Sequence, residues 1–368
     1  MGPRFLTASA GVLVAVLALL TGCGSGVPQG QKAPITVPAV PGAPIVAYLK
    51  SFQSGVGAIV ALSGERFVEL FPGSADVLLR RDSQRDTFLV LDRSNGVIYR
   101  HSLESTRLTR PWYRDRGANF QDVHALDDGT YWVSALNRES VVRLDADGTV
   151  RQTVSLAALA APEARGLAYP TYFWTSGGRT FLLVQRLRDG VRPSDASYVV
   201  ELDREKGLVG EPRRLEKTNP FTDWVPSGEG CALVGEAGDT GIFSKLDGAI
   251  ERFCPAAPQP WSVIALETEL ERDIYDFVPL DEERLVCLST SPTNDVFLFD
   301  SKAKRAEPPI ATTSAFRFVD LEQARDGAIY VADRDVTRPG VRQIDVAAGT
   351  LGPVIGTALE PLSLLALP

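Results

Sequence analysis

From residue 44 onward, apolar residues alternate with polar ones in short runs. Each run stops at a cluster of Gly, Asp, Asn, Ser or Pro, as in "ESVVRLDADGTVRQTV". A period of two bounded by turn residues predicts strands, and no stretch sustains the period of a long helix. The one helical pattern is short: "ALETELERDI" (265–274) predicts an amphipathic turn or two inside a loop. The runs also recur as a unit. "FQDVHALDDGTYWV" from Phe120, "FTDWVPSGEGCALV" from Phe221, "IYDFVPLDEERLVC" from Ile274 and "FVDLEQARDGAIYV" from Phe318 share one frame. In each, Asp stands third, and Gly129, Gly230, Glu283 or Gly327 follows seven positions after it. "SADVLLRRD" at Ser74 starts alike, and "YPTYFWTSGG" puts Thr171 where Asp is expected.

A second mark follows, an apolar residue and then Asp: Leu144-Asp145, Leu202-Asp203, Leu246-Asp247, Phe299-Asp300 and Ile344-Asp345. Ser102 holds this place in the first copy. The unit reads as strand, turn, strand, loop, strand, Asp-led hairpin, strand, over about 44–53 residues. A four-stranded sheet with two apolar faces cannot bury both alone, so the units must pack face to face around an axis. The fold class is therefore all-β, a β-propeller. Residues 44–71 hold three strands without a first one, and "LEPLSLLALP" supplies one strand with Glu360 at its first mark. Joined, they complete a split unit and make seven blades; a tail acting only as a cap would leave six.

The N-terminus is a different object. Arg4 precedes an apolar stretch, Phe5 to Leu20, shorter than the roughly 20 residues of a spanning helix. Leu20-Thr21-Gly22-Cys23 resembles a bacterial lipobox, which implies cleavage before Cys23 and lipid on its sulfur. Residues 1–22 are then a signal peptide, 23–43 a lipidated Cys and Pro-rich tether, and 44–368 the propeller. Gly24, rather than Asp, favours the outer membrane within the cell envelope. The net charge of −8 becomes more negative once Arg4 is removed, which excludes a phosphate-backbone partner. Monomer is the default. Cys231, Cys254 and Cys287 are an odd number; read at opposite ends of non-neighbouring strands, Cys231 and Cys254 cannot bridge, so all three are expected as buried free thiols.

"GTYWVSALNRESVVRLDADGTV" (129–150) and "GAIYVADRDVTRPGVRQIDVAAGTL" (327–351) resemble NHL and YVTN-type propeller repeats. That resemblance covers about 44–368. It implies the fold and carries little about activity, because propellers host many functions.

In the usual propeller layout, the first strand of each blade lines the central channel. Asp76, Asp122, Asp223, Asp276, Asp320 and Glu360, with Thr171, are then expected near one mouth. Converging carboxylates would attract a cation or an amine and raise one another's pKa values. The competing expectation, favoured because the residue repeats, is that each Asp accepts backbone N–H groups at a blade junction. His124, two residues after Asp122, shares its strand face. The pair could exchange protons or merely pack; His101 is expected to be exposed. Propeller lactonases of the gluconolactonase and paraoxonase type hold calcium on acids and Asn at non-equivalent blade positions, whereas the acids here are equivalent. No cofactor, metal ligand set or catalytic residue is assigned.

Three long loops break the repeat, at 107–120, 185–197 and 254–275. They carry Trp112, Tyr113, Arg114, Arg186, Arg188 and Trp261, residue types common at interfaces. The expected function is a lipid-anchored envelope scaffold binding a protein or small ligand through this loop face, rather than an enzyme. The alternative is a calcium-dependent, lactonase-like hydrolase working in the channel.

Overall fold

The computed structural model describes residues 39–105, 110–160, 166–188, 192–193, 196–228, 230–238, 245–314 and 316–367. The leader, Cys23 and the tether to residue 38 lie outside them. The described strands form seven antiparallel sheets. In chain order, blades 1 to 6 span 77–114, 120–155, 166–214, 225–266, 276–313 and 318–356. Blade 7 joins Glu360–Ala366 as first strand to Ile45–Lys50, Gly57–Ser63 and Arg66–Gly73. The closing register runs antiparallel, with Lys50 opposite Glu360 and Ile45 opposite Ala366. Seven blades, closed by a strand from each end of the chain, are thus observed.

Burial grades outward along each blade. Second strands such as Tyr131–Ala135 and Ile329–Asp333 are buried at every position, since a neighbouring blade covers each face. Outer strands such as Val150–Ser155 are mostly exposed. The hydrophobic core is accordingly divided into clusters lying at blade junctions. Leu89 and Ile98 meet Phe120 and Val133 between blades 1 and 2. At the closing junction, Tyr48 and Ile59 of blade 7 meet Leu79 and Phe88 of blade 1. Val40 and Ala43, at the end of the tether, already pack into that last cluster.

The first hairpin explains the recurrent glycine. Gly129 and Gly327 have φ of 78° and 84°, which only a residue without Cβ adopts cheaply. Blade 5 has Glu283 there and turns differently: the Asp281 carboxylate accepts the N–H groups of Glu283 and Arg284.

Four expectations need correction. The loops at 107–120 and 254–275 contain outer strands, Pro111–Arg114 and Trp261–Leu266, and the latter runs into the short helix Glu267–Leu270. Leu246-Asp247 precedes the third strand of blade 4, Ala249–Phe253, instead of following it. Cys254 therefore ends the third strand, beside the second, where Ala232 pairs with Phe253. Cys231 and Cys254 consequently form a disulfide, with Cα atoms 4.3 Å apart; Cys287 is free and buried. His101 is buried between the rings of Phe71 and Phe88, and this burial pushes its pKa down to about 4.

Candidate functional site

The first strands converge on a channel with a cavity of about 830 Å³. Asp122, His124, Asp223, Asp276 and Asp320 line it, and so do Arg80, Tyr172, Tyr275 and Glu322. Asp76 and Glu360 do not. They sit at the entry end of their first strands, where Arg93 holds Asp76 and Arg334 holds Glu360 at 3.0 Å.

Backbone bonds define which residues are equivalent. The N–H of Phe173 donates to Asp122, that of Leu321 to Asp276 and that of Leu364 to Asp320. Each of these carboxylates thus caps the first strand of the next blade. The residues just before the donors occupy the Asp place in their own blades, so blade 3 contributes Tyr172 and blade 7 contributes Ser363. Thr171 instead turns inward, donating to the carbonyl of Leu183. Glu322, two residues after Asp320, repeats the device by accepting from Ala366 N–H.

The ring is therefore asymmetric. Asp122 is fully engaged: Arg80 Nε donates at 3.0 Å, Val123 N–H at 2.8 Å and Phe173 N–H at 2.8 Å. Arg80 also donates to the carbonyls of Leu79 and Gln121 and lies 5.2 Å over the Tyr172 ring. His124 Nε2 is 2.7 Å from Thr175 Oγ1. Burial pushes the imidazole pKa down to about 4, against the pull of Asp223, so the ring is neutral. On the side of blades 4 to 6, no guanidinium pairs with the acids among the described residues. Among the described residues Asp223 accepts the N–H of its neighbour Trp224 and no other hydrogen bond, and its side chain faces open channel space. Burial raises its pKa to about 6, opposed by Arg80. Burial likewise lifts Asp276 to about 7 and Glu322 to about 8, and, with the nearby Asp276 charge, holds Asp320 well above the ordinary carboxylate range. Among the described residues no three His, Cys, Asp or Glu side chains are grouped to hold a metal ion.

The loop candidates are not brought together. Trp112 donates to the Ala146 carbonyl and lies edge-on to Tyr131 at 4.8 Å, clamping blade 1 to blade 2. Tyr113 packs 5.8 Å from Phe120, and Arg114 is exposed. Arg186 donates to Leu159 and covers the Tyr198 ring. The backbone of Arg188 pairs with Gly166 and Arg192; its side chain lies outside the description. Trp261, on blade 4, packs 4.5 Å from Phe253. Strand alternation carries the signal for the residues not expected: Glu322 follows Asp320 by two residues, as His124 follows Asp122, and Arg80 follows Asp76 by four, all even spacings.

No protein-family model matches the sequence, and no curated protein does. Solved structures do resemble it. Apo AztD from Citrobacter koseri matches with a TM-score of 0.55 at 11% identity, over 88% of this chain and 98% of that one. A putative 6-phosphogluconolactonase from Bacteroides uniformis matches with a TM-score of 0.55 at 12% identity, over 87% and 98%. A streptogramin B lyase matches with a TM-score of 0.51 at 12% identity, over 82% and 94%. At such identities the likeness is one of fold: the chain is a seven-bladed β-propeller.

Proposed function

We propose that this propeller is a ligand-binding scaffold of the bacterial envelope, tethered through lipid on Cys23, and that its channel takes a small organic cation. The observation that carries the reading is the imbalance within the channel. Asp122 is spent on Arg80 and two backbone N–H groups, whereas Asp223 keeps an oxygen free toward open space. A bound ammonium would supply the missing counter-charge and draw protons off neighbours whose pKa values burial has raised. The proton-transfer alternative is disfavoured by His124, a neutral ring already bonded to Thr175. The lipobox resemblance supports the location, and the NHL-like and YVTN-like repeats fit a binding role.

Calorimetric titration of the full chain in detergent with n-butylamine and with n-butanol tests this. The amine is expected to bind, the alcohol not, and Asp223→Asn to weaken the amine by about tenfold, the scale for losing one charge-assisted bond. Lactone hydrolysis abolished by His124→Ala, or equal indifference to amine and alcohol, would overturn it.

A further inference from the structure

At the entry end of the channel, large apolar side chains stand in solvent. Phe52 is 48% exposed, Phe316 47% and Phe221 39%, the three exposed phenylalanine rings among the described residues. They are not scattered. Phe221 lies 5.1 Å from Tyr275, Tyr275 lies 5.4 Å from Phe316, and Arg334 spans from Phe316 to Phe52, 5.5 Å and 4.3 Å from the two rings. The chain of rings thus follows the rim from blade 4 to blade 7. Phe221 and Tyr275 also line the cavity itself, so rim and channel are one continuous surface.

The arc matters because the acids without a guanidinium partner lie under the same arc. Asp223, Asp276, Asp320 and Glu322 belong to blades 4 to 6, while Arg80 and its partner Asp122 belong to blades 1 and 2. Contiguous exposed aromatic surface marks a docking site, and the charge beneath it selects the occupant. A primary ammonium is a compact charge with three donors, suited to several converging carboxylates better than a planar guanidinium is. Its apolar substituent would then leave the channel along Phe221, Tyr275 and Phe316. Arg334, anchored by Glu360, holds Phe52 and Phe316 apart as the outer end of that track.

We infer that the channel mouth is built for an amphiphilic primary amine, with its ammonium seated on the blade 4–6 carboxylates and its aryl or alkyl body on the phenylalanine rim. This rests on the cation-binding reading above and adds the class of ligand. The full chain in detergent is titrated with n-butylamine and with 4-phenylbutylamine, which differ only in the ring. The phenyl compound is expected to bind at least about tenfold tighter, as burial of a ring predicts. Phe221→Ala with Phe316→Ala should erase that advantage and weaken n-butylamine by no more than about twofold, because its short chain covers little of the rim; both side chains are substantially exposed, so their loss leaves the fold intact. Two amines of equal affinity, or an advantage that survives the double substitution, would overturn the inference while sparing the cation site. Failure of both amines to bind would overturn both.

Discussion

Replacing Asp122 by alanine separates a structural carboxylate from one proposed to bind a ligand. The side chain is 6% exposed and its partner Arg80 18%, so the pair is largely withdrawn from water. Removing one member of a buried pair costs about 3–5 kcal/mol, chiefly because the other charge is left uncompensated. Two backbone donors, Val123 and Phe173 N–H, also lose their acceptor, at about 1–3 kcal/mol each where water cannot reach. Channel water and the nearby Asp223 offset part of this, leaving a net loss of about 3–4 kcal/mol. For a domain of this size that lowers Tm by about 5 °C. Asp223→Ala, at the equivalent place one blade pair onward, removes a single acceptor from Trp224 N–H and should cost less than about 1 kcal/mol. Urea unfolding of both variants, and of Arg80→Met alone and with Asp122→Ala, gives the comparison. The double variant should be less damaged than the sum by about 1.5 kcal/mol or more, since the stranded cation is gone. An Asp122→Ala loss under about 0.5 kcal/mol, or strict additivity with Arg80→Met, would refute the structural assignment.

The other predictions concern the bridge, protons and the membrane. The Cys231–Cys254 bridge closes a loop of sequence separation 23; by chain entropy, Cys231→Ser with Cys254→Ser should cost about 3 kcal/mol in urea unfolding. Thiol titration of the unfolded oxidised chain should find Cys287 reactive and this pair silent. Asp223, Asp276 and Glu322 keep their protons to about 6, 7 and 8 in the folded protein, whereas the unfolded chain loses them near the ordinary carboxylate range. The folded state binds more protons in between, so stability should fall as pH rises from about 5 to 8. Glu322→Gln should flatten that slope by up to about 1.4 kcal/mol per pH unit, and an unchanged slope would count against its burial. Affinity for n-butylamine should rise over the same interval as these acids ionise. Cys23→Ser should abolish incorporation of a palmitate analogue and move the protein from the detergent to the aqueous phase.

The repeat was readable because one physical need recurs. Each blade must start its first strand at the channel, and an Asp that accepts one or two backbone N–H groups, from its own next residue or from the next blade, answers that need. The closing strand was readable for the same reason, as "LEPLSLLALP" has the pattern of a first strand and no second. What could not be read was register. The first strands carry bulges, between Pro170 and Phe173 in blade 3 and at Leu362, between Pro361 and Ser363, at the closure, so distance from the strand start is no guide to depth. Counting from the start put Thr171 and Glu360 in the ring in place of Tyr172 and Ser363. The cysteines were misplaced by a similar slip: Leu246-Asp247 imitates a hairpin mark at the wrong end of its strand. The exposure of the phenylalanines leaves no periodic trace: Phe221 opens the repeat frame, where Phe120, Ile274 and Phe318 are buried, and Phe52 and Phe316 occupy unrelated places in their units.

One residue type therefore serves two ends, and the number of donors around it distinguishes them. Where a carboxylate collects backbone N–H groups and an arginine, as Asp122 does, its charge is satisfied within the fold and a ligand has little to add. Where it collects one N–H and no direct guanidinium bond among the described residues, as Asp223 does, Arg80 opposes the effect of burial only at a distance, and on the reading proposed above a bound ammonium would supply the rest. The deficit lies on the side of blades 4 to 6 because Arg80 enters from blade 1 and reaches Asp122, and no described first strand opposite carries its equivalent. Moving the arginine should move the deficit: in Arg80→Met with Val278→Arg, the site for an amine should weaken at blades 4 to 6. A channel that still bound n-butylamine unchanged would show that the imbalance does not determine where a cation sits.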